Sequence, residues 1–209
     1  MKERPIPFTA PMVQALLKAR KTQTRRLLKP QPINSEIPGS WQWAPPLKHL
    51  RKLLLNEGAL IEFRNPGSLI LDCCPHGKPG DKLWVREAWQ AWKEFNHLPP
   101  RDIPSHALER INYLADGNKW DARYRHARFM PRWASRILLE ITDVRVERLQ
   151  DISVNDAVAE GALNQSVVDQ FAQVHAVDMY RCIWNGINGP GSWNANPWVW
   201  VIEFRRVGS

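Results

Sequence analysis

The run Trp198-Val199-Trp200-Val201-Ile202-Glu203-Phe204 constrains the fold more than any other stretch of this chain. It is almost wholly apolar, β-branched and aromatic, and reads as a strand buried on at least one face. Trp198 and Trp200 are two apart, hence on one strand face, a spacing that reads as core. Its partners must come from far away. Ile137 to Glu147 alternates as a strand pair or one bent strand, and Lys82 to Glu87 follows the turn Lys78-Pro79-Gly80-Asp81. Pro5 to Phe8 reads as an edge strand, because proline has no N–H to donate to a ladder. Ala59 to Phe63 and Ser68 to Leu71 read as a hairpin around Asn65-Pro66-Gly67. Several non-adjacent strands with few helices predict an α+β chain built on a small closed barrel.

Helix signals fill the intervals. Thr9 can cap a helix with Pro11 in its first turn, placing Met12, Ala15, Leu16 and Ala19 on one face. Ser153 with Asp156 in the capping-box position starts a short helix, and Gly161 ends it. A longer helix is expected over 166 to 186, with Val167, Phe171, Val174, Tyr180 and Ile183 or Trp184 inward. Residues 29 to 58 hold no sustained period apart from an apolar-basic patch at Leu47 to Leu55, and read as an insertion with a short helix. Residues 93 to 132 are polar, with the basic run Arg123 to Arg128, and read as a long functional or disordered loop. No internal repeat occurs. The 209 residues suit one elaborated domain or two small ones.

Charge narrows the partners. Twenty-nine Lys+Arg against 21 Asp+Glu give a formal net charge of +8, which favours polyanions and nucleic acid first. Eleven tryptophans supply core and also candidate stacking surfaces for bases. Three cysteines, two adjacent, form no disulfide framework and point to a reducing compartment. No signal segment or membrane-length apolar run is present, so a cytoplasmic chain without a membrane partner is expected, and Asn164-Gln165-Ser166 is not read as a glycosylation site. Cys73, Cys74 and His76 lack zinc-site spacing, so no metal is expected, and neither a P-loop nor a G-x-S-x-G elbow is present to imply a cofactor or a serine hydrolase.

The chemistry concentrates in Ala19-Arg20-Lys21-Thr22-Gln23-Thr24-Arg25-Arg26. A lysine crowded by like charge has its ammonium form disfavoured, and a lysine so depressed can accept a hydroxyl proton and make threonine nucleophilic. The alternative is a basic turn that grips phosphate without chemistry. Lys21 and Thr24, three apart, share one side of a helical or tight turn; an extended strand would part them.

Together with Lys78 to Glu87, Arg132-Trp133-Ala134-Ser135-Arg136, Asp151-Ile152-Ser153 through Ala159-Glu160-Gly161, and Asn196 to Phe204, this segment resembles the ASCH family, whose members have a PUA-like β-barrel. The long, tryptophan-rich form is similar to ASCH proteins encoded by bacteriophages and prophages. The resemblance covers both ends and the middle as one domain over 1–209, and leaves about 30–75 and 93–130 as insertions. It implies an amidohydrolase of N4-acylated cytosine, such as N4-acetylcytidine, in nucleoside or RNA. By its motif, Lys21 and Thr24 match the family's lysine and threonine and Glu160 matches its glutamate, while Ala19 replaces the family's glycine. Thr24 Oγ would attack the amide carbonyl, Lys21 would accept its proton or stabilise the oxyanion, and Glu160 would protonate the leaving amine.

Around this trio, Arg20, Arg25 and Arg26 suit phosphate or base-edge contacts, against the alternative of solvated surface arginines. Trp84 and Trp133 suit base stacking. Arg86 and Glu87 could form a buried ion pair that orients the site, or simply close the barrel rim. A non-catalytic reader of RNA or of a modified base, and a metal-independent ribonuclease, remain the competing functions. RNA is favoured over DNA, and oligomeric state is left open.

Overall fold

The computed structural model describes residues 1–46, 60–63, 68–162 and 175–208. The expected helix at Leu47 to Leu55, the turn at 64–67 and Val167, Phe171 and Val174 lie outside the described residues.

A five-stranded sheet organises the molecule. It comprises β1 (Glu3–Pro7), β2 (Gln23–Leu27), β6 (Lys82–Arg86), β9 (Leu138–Arg148) and β10 (Trp198–Val207), in the order β1-β6-β9-β10-β2. Only β1 and β6 are parallel; the other neighbours are antiparallel. The two proline-bearing and arginine-bearing strands β1 and β2 are the edges, where a missing or unpaired N–H is tolerated. Arg26 of β2 donates from Nη2 to the Pro7 carbonyl at 2.6 Å, so a side chain joins the two edge strands, although no sheet is closed among the described residues. The chain is thus mixed α+β with several small sheets.

β10 is buried on both faces. Trp198, Trp200, Ile202 and Phe204 join Ile6, Leu28, Trp43, Leu83 and Ile141 in the main core. Val199 and Val201 point the other way, onto Leu149, Ile152, Ala157, Tyr180 and Trp184. Helices α3 (Val154–Ala159) and α4 (Ala176–Asn188) contribute that second layer. Ser153 Oγ accepts from Asp156 N at 3.0 Å and Gly161 closes the turn at φ 80°, so both ends of α3 follow the sequence signals. The described part of α4 turns Tyr180 and Trp184 inward and leaves Ile183 half-exposed.

Three expectations change. Ser68–Leu71 is a short helix, α2, rather than a hairpin arm, and β5 (Ile61–Phe63) pairs instead with β4 (Trp41–Trp43). β4 also pairs with β3 (Ile33–Asn34), giving a three-stranded sheet inside the segment read as an insertion. This sheet caps the core with tryptophan: Trp41 meets Trp198 and Trp43 meets Trp200 edge-to-face, at 5.3 and 6.3 Å. Residues 93–132 are not a structureless loop. With β7 (Trp89–Ala91), β8 (Ile111–Tyr113) and several 3₁₀ turns they build a third apolar cluster around Trp89, Ile103, Met130 and Ala134. Its apolar residues are spaced irregularly, as 3₁₀ turns require, and so carry neither the helical nor the strand period.

Candidate functional site

The site begins where helix α1 (Ala10–Leu17) stops. Ala19 takes a left-handed φ of 53°, and the Arg20 and Lys21 amides both donate to the Ala15 carbonyl. This tight turn, a conformation that glycine adopts without strain, throws Lys21 into the interior just ahead of β2. The Thr22 amide then donates to the Ala159 carbonyl at 2.9 Å, which fastens the start of β2 to the end of α3.

That fastening brings Lys21 to Glu160. Lys21 Nζ donates to Glu160 Oε2 at 2.8 Å and to the Glu160 carbonyl at 2.9 Å, with both side chains buried. Gly161 makes the approach possible: a Cβ there would sit 2.9 Å from Ala15 Cβ and 3.3 Å from Lys21 Cβ. Burial holds the Lys21 pKa below the ordinary lysine value; Glu160 opposes this, and Arg26 and Arg25 add a smaller depression. The direction agrees with the sequence reading, but desolvation rather than crowding by arginines is the chief cause.

Arg25 is the hub of a charge network. Its guanidinium donates to Glu147 Oε1 at 2.9 Å from Nε and 2.5 Å from Nη2, and to Glu160 Oε1 at 3.2 Å. It also lies 3.2 Å from Asp156 Oδ2. Arg145 extends the network to Glu147, Asp156 and Glu203. Arg25 is therefore a structural cation, satisfied by three carboxylates, and not the free phosphate contact expected of it.

A cavity of about 270 Å³ opens along the free edge of β2. Thr24, Arg25, Arg26, Leu27 and Lys29 form one wall; Glu160, Tyr180, Ile183 and Trp184 form another, with Met12 and His76 at the sides. Its size is near the lower end of small-molecule sites, and its lining mixes apolar surface with a few converging polar groups. Thr24 is 2% exposed, and its hydroxyl has no hydrogen-bond partner among the described residues. Trp184 has a buried indole N–H with no acceptor. His76 is pushed down to about 4 by burial and by Arg26 and Arg4, so its imidazole is neutral at ordinary pH.

The expected residues thus divide. Glu160 lines the cavity with Thr24 and bonds Lys21, which itself lies outside the lining; Thr24 is in a strand, and Lys21 precedes that strand. No hydrogen bond joins Lys21 to Thr24. Among the expected ligand contacts, Arg26 lines the cavity, while Arg20 is half-buried and not part of its lining. Trp84 is buried in β6 with Arg86 stacked over its ring at 4.6 Å, and Trp133 packs on the third apolar cluster; neither reaches the cavity. Glu87 pairs with Arg136, at 2.9 and 3.0 Å, and not with its neighbour Arg86, which donates to the Arg128 carbonyl. Adjacent strand residues point to opposite faces, which is why that pairing fails. Cys74 is raised to about 11 by burial and stays a thiol. No cluster of metal-ligating side chains occurs among the described residues, and none of their helices is long and apolar enough to cross a membrane.

His76, Lys29 and Trp184 were absent from the expected site. His76 and Lys29 have no motif around them, and Trp184 reads as core from its helical spacing; only the meeting of β2 with α4 reveals all three. Compared with protein-family models, with curated proteins and with solved structures, the chain matches none.

Proposed function

We propose that this chain is an ASCH-type protein of PUA-like architecture that hydrolyses the amide of an N4-acylated cytosine. The observation that carries the reading is that Thr24 and Glu160 line one cavity while Lys21, buried outside that lining, bonds Glu160. Glu160, 139 residues from Lys21, bonds the Lys21 ammonium and faces the same cavity as the unpartnered Thr24 hydroxyl. Burial populates the neutral amine of Lys21 below the ordinary lysine range, as a base for threonine requires.

In this mechanism Thr24 Oγ1 attacks the acyl carbon while its proton passes to Lys21 Nζ. The tetrahedral intermediate collapses with cleavage of the C–N bond, and a proton relayed from Lys21 through the Glu160 carboxylate reaches the exocyclic nitrogen. Free cytosine amine leaves, and the acyl group remains as a threonine ester. Water then cleaves that ester, releasing the carboxylic acid and returning the threonine hydroxyl. Arg25 holds the second Glu160 oxygen and so acts by positioning.

The test is release of cytidine from N4-acetylcytidine by the purified protein and by Thr24→Ala, Lys21→Ala and Glu160→Ala. Turnover that falls by at least about a hundredfold in each folded variant supports the trio. Absence of turnover in the unaltered chain sinks the reading. A non-catalytic reader of a modified base is the second reading, favoured by one observation: both Lys21 Nζ hydrogen bonds go to Glu160 and none to Thr24.

A further inference from the structure

The cations of the cavity are not equivalent. Arg25 is neutralised by Glu147, Asp156 and Glu160. Its neighbour Arg26 and, beyond it, Lys29 line the same cavity, and neither forms an ion pair among the described residues. Among the described residues Glu160 is the only acidic one of that lining and sits at the Lys21 end, whereas Lys29 lies past the opposite end of β2. One end of the cavity therefore carries two cations with no ion-pair partner among the described residues, Glu160 acting on Arg26 only beyond ion-pair distance.

Arg26 is fixed in place for such a role. Its Nη2 donates to the Pro7 carbonyl at 2.6 Å, and its guanidinium stacks over the Phe8 ring at 5.2 Å. Its Nε is buried with no acceptor among the described residues. A shielded guanidinium with no anion is costly, and a ligand anion removes that cost. Arg26 lies two residues beyond Thr24 on the same strand face, about 7 Å along β2. That span exceeds what the reacting group needs and suits the sugar between a base and its phosphate. His76, whose imidazole has no partner among the described residues, adds a neutral donor beside Arg26.

We propose that Arg26, Lys29 and His76 form a phosphate subsite, so that the ligand of this cavity is a phosphate ester of the nucleoside and not the bare nucleoside. The proposal rests on the nucleobase reading above for the rest of the ligand, but the phosphate contact itself does not. A 5′- or 3′-monophosphate and an internal phosphodiester share this chemistry. Arginine supplies paired donors to the phosphate oxygens and lysine a point charge at the mouth.

The experiment measures affinity calorimetrically for cytidine, cytidine monophosphate, a short cytidine-containing RNA and inorganic phosphate. His76 imidazole resonances are followed in parallel as a local probe. The monophosphate is expected to bind at least about tenfold more tightly than cytidine, with the advantage weakening as salt rises. In Lys29→Gln, an exposed change that leaves the fold alone, and in Arg26→Gln, the ratio of the two affinities should fall severalfold. Inorganic phosphate should shift His76 in the unaltered chain. Equal affinity for cytidine and its monophosphate overturns the subsite while leaving the nucleobase reading standing. Binding of phosphate without any binding of cytidine keeps the subsite and removes the nucleobase reading. Tighter binding of the RNA than of the monophosphate assigns the phosphate to a polynucleotide; equal or weaker binding assigns it to a free nucleotide.

Discussion

Lys21 and Glu160 are joined twice, through the carboxylate at 2.8 Å and through the main-chain carbonyl at 2.9 Å. A lysine that binds both the side chain and the backbone of one residue fixes that residue's orientation as well as its charge. Here it sets the end of α3 against the entrance to β2 and turns the other carboxylate oxygen toward Arg25. The proposed catalytic geometry and local stability therefore share the same atoms.

Gly161 sets the distance between these two elements. Its left-handed φ of 80° and the 2.9 Å approach of a hypothetical Cβ to Ala15 Cβ leave no room for a side chain. Gly161→Ala should cost about 1–3 kcal/mol in chemical denaturation. Turnover should fall along with it, because Glu160 is displaced from Lys21. An alanine variant as stable as the parent would show that the approach is not tight.

Arg25→Ala should destabilise far more than a surface arginine. It leaves the buried Glu160 with one cation and leaves Glu147 and Asp156 to Arg145 alone. Breaking a buried charge network by removing one member costs about 3–5 kcal/mol. Thermal and urea unfolding check this, and Arg26→Ala serves as the comparison, since Arg26 has no carboxylate to abandon.

The rate of amide hydrolysis should rise with pH to a plateau whose midpoint lies below the ordinary lysine value of 10.5, because the neutral amine is the active form. The linked stability has the same sign. With the folded value lowered, the unfolded chain binds more protons between the two values, so stability rises with pH across that window and the full cost is present below it. A pH–rate profile on the unaltered chain checks the midpoint. A flat profile in that range would remove Lys21 as the base.

His76 should make the fold sensitive to mild acid. Its imidazole is depressed from 6.5 to about 4 by burial and the nearby arginines, so the unfolded chain takes up the proton first. Its share of stability is intact above pH 6.5 and is lost as pH falls toward 4. The loss amounts to no more than about 3 kcal/mol. Denaturation midpoints of the parent and His76→Gln, compared at pH 7 and pH 4.5, should converge or cross as the pH falls.

Much of the framework is legible in the chain because it depends on local chemistry. The alternation of β10, the prolines that confine β1 to an edge, and the Ser153 and Gly161 limits of α3 all follow from a few adjacent residues. Four-residue apolar runs are ambiguous in the same local terms, and Ser68–Leu71 settles as helix for that reason. The site is divided in the same way. The composition of residues 19 to 26 singles out a segment that the structure places beside the cavity. Nothing in that segment tells Arg25 from Arg26, since the difference lies in Glu147, Asp156 and Glu160, more than 120 positions away. Sequence alone therefore determined the strands of the main sheet apart from β2 and the limits of α3, which short-range sterics and hydrogen bonding control. Tertiary structure alone decided which cation is neutralised, which is left facing the cavity, and that Lys21 is buried against Glu160. Those outcomes depend on desolvation and on charges that only folding brings within a few ångströms.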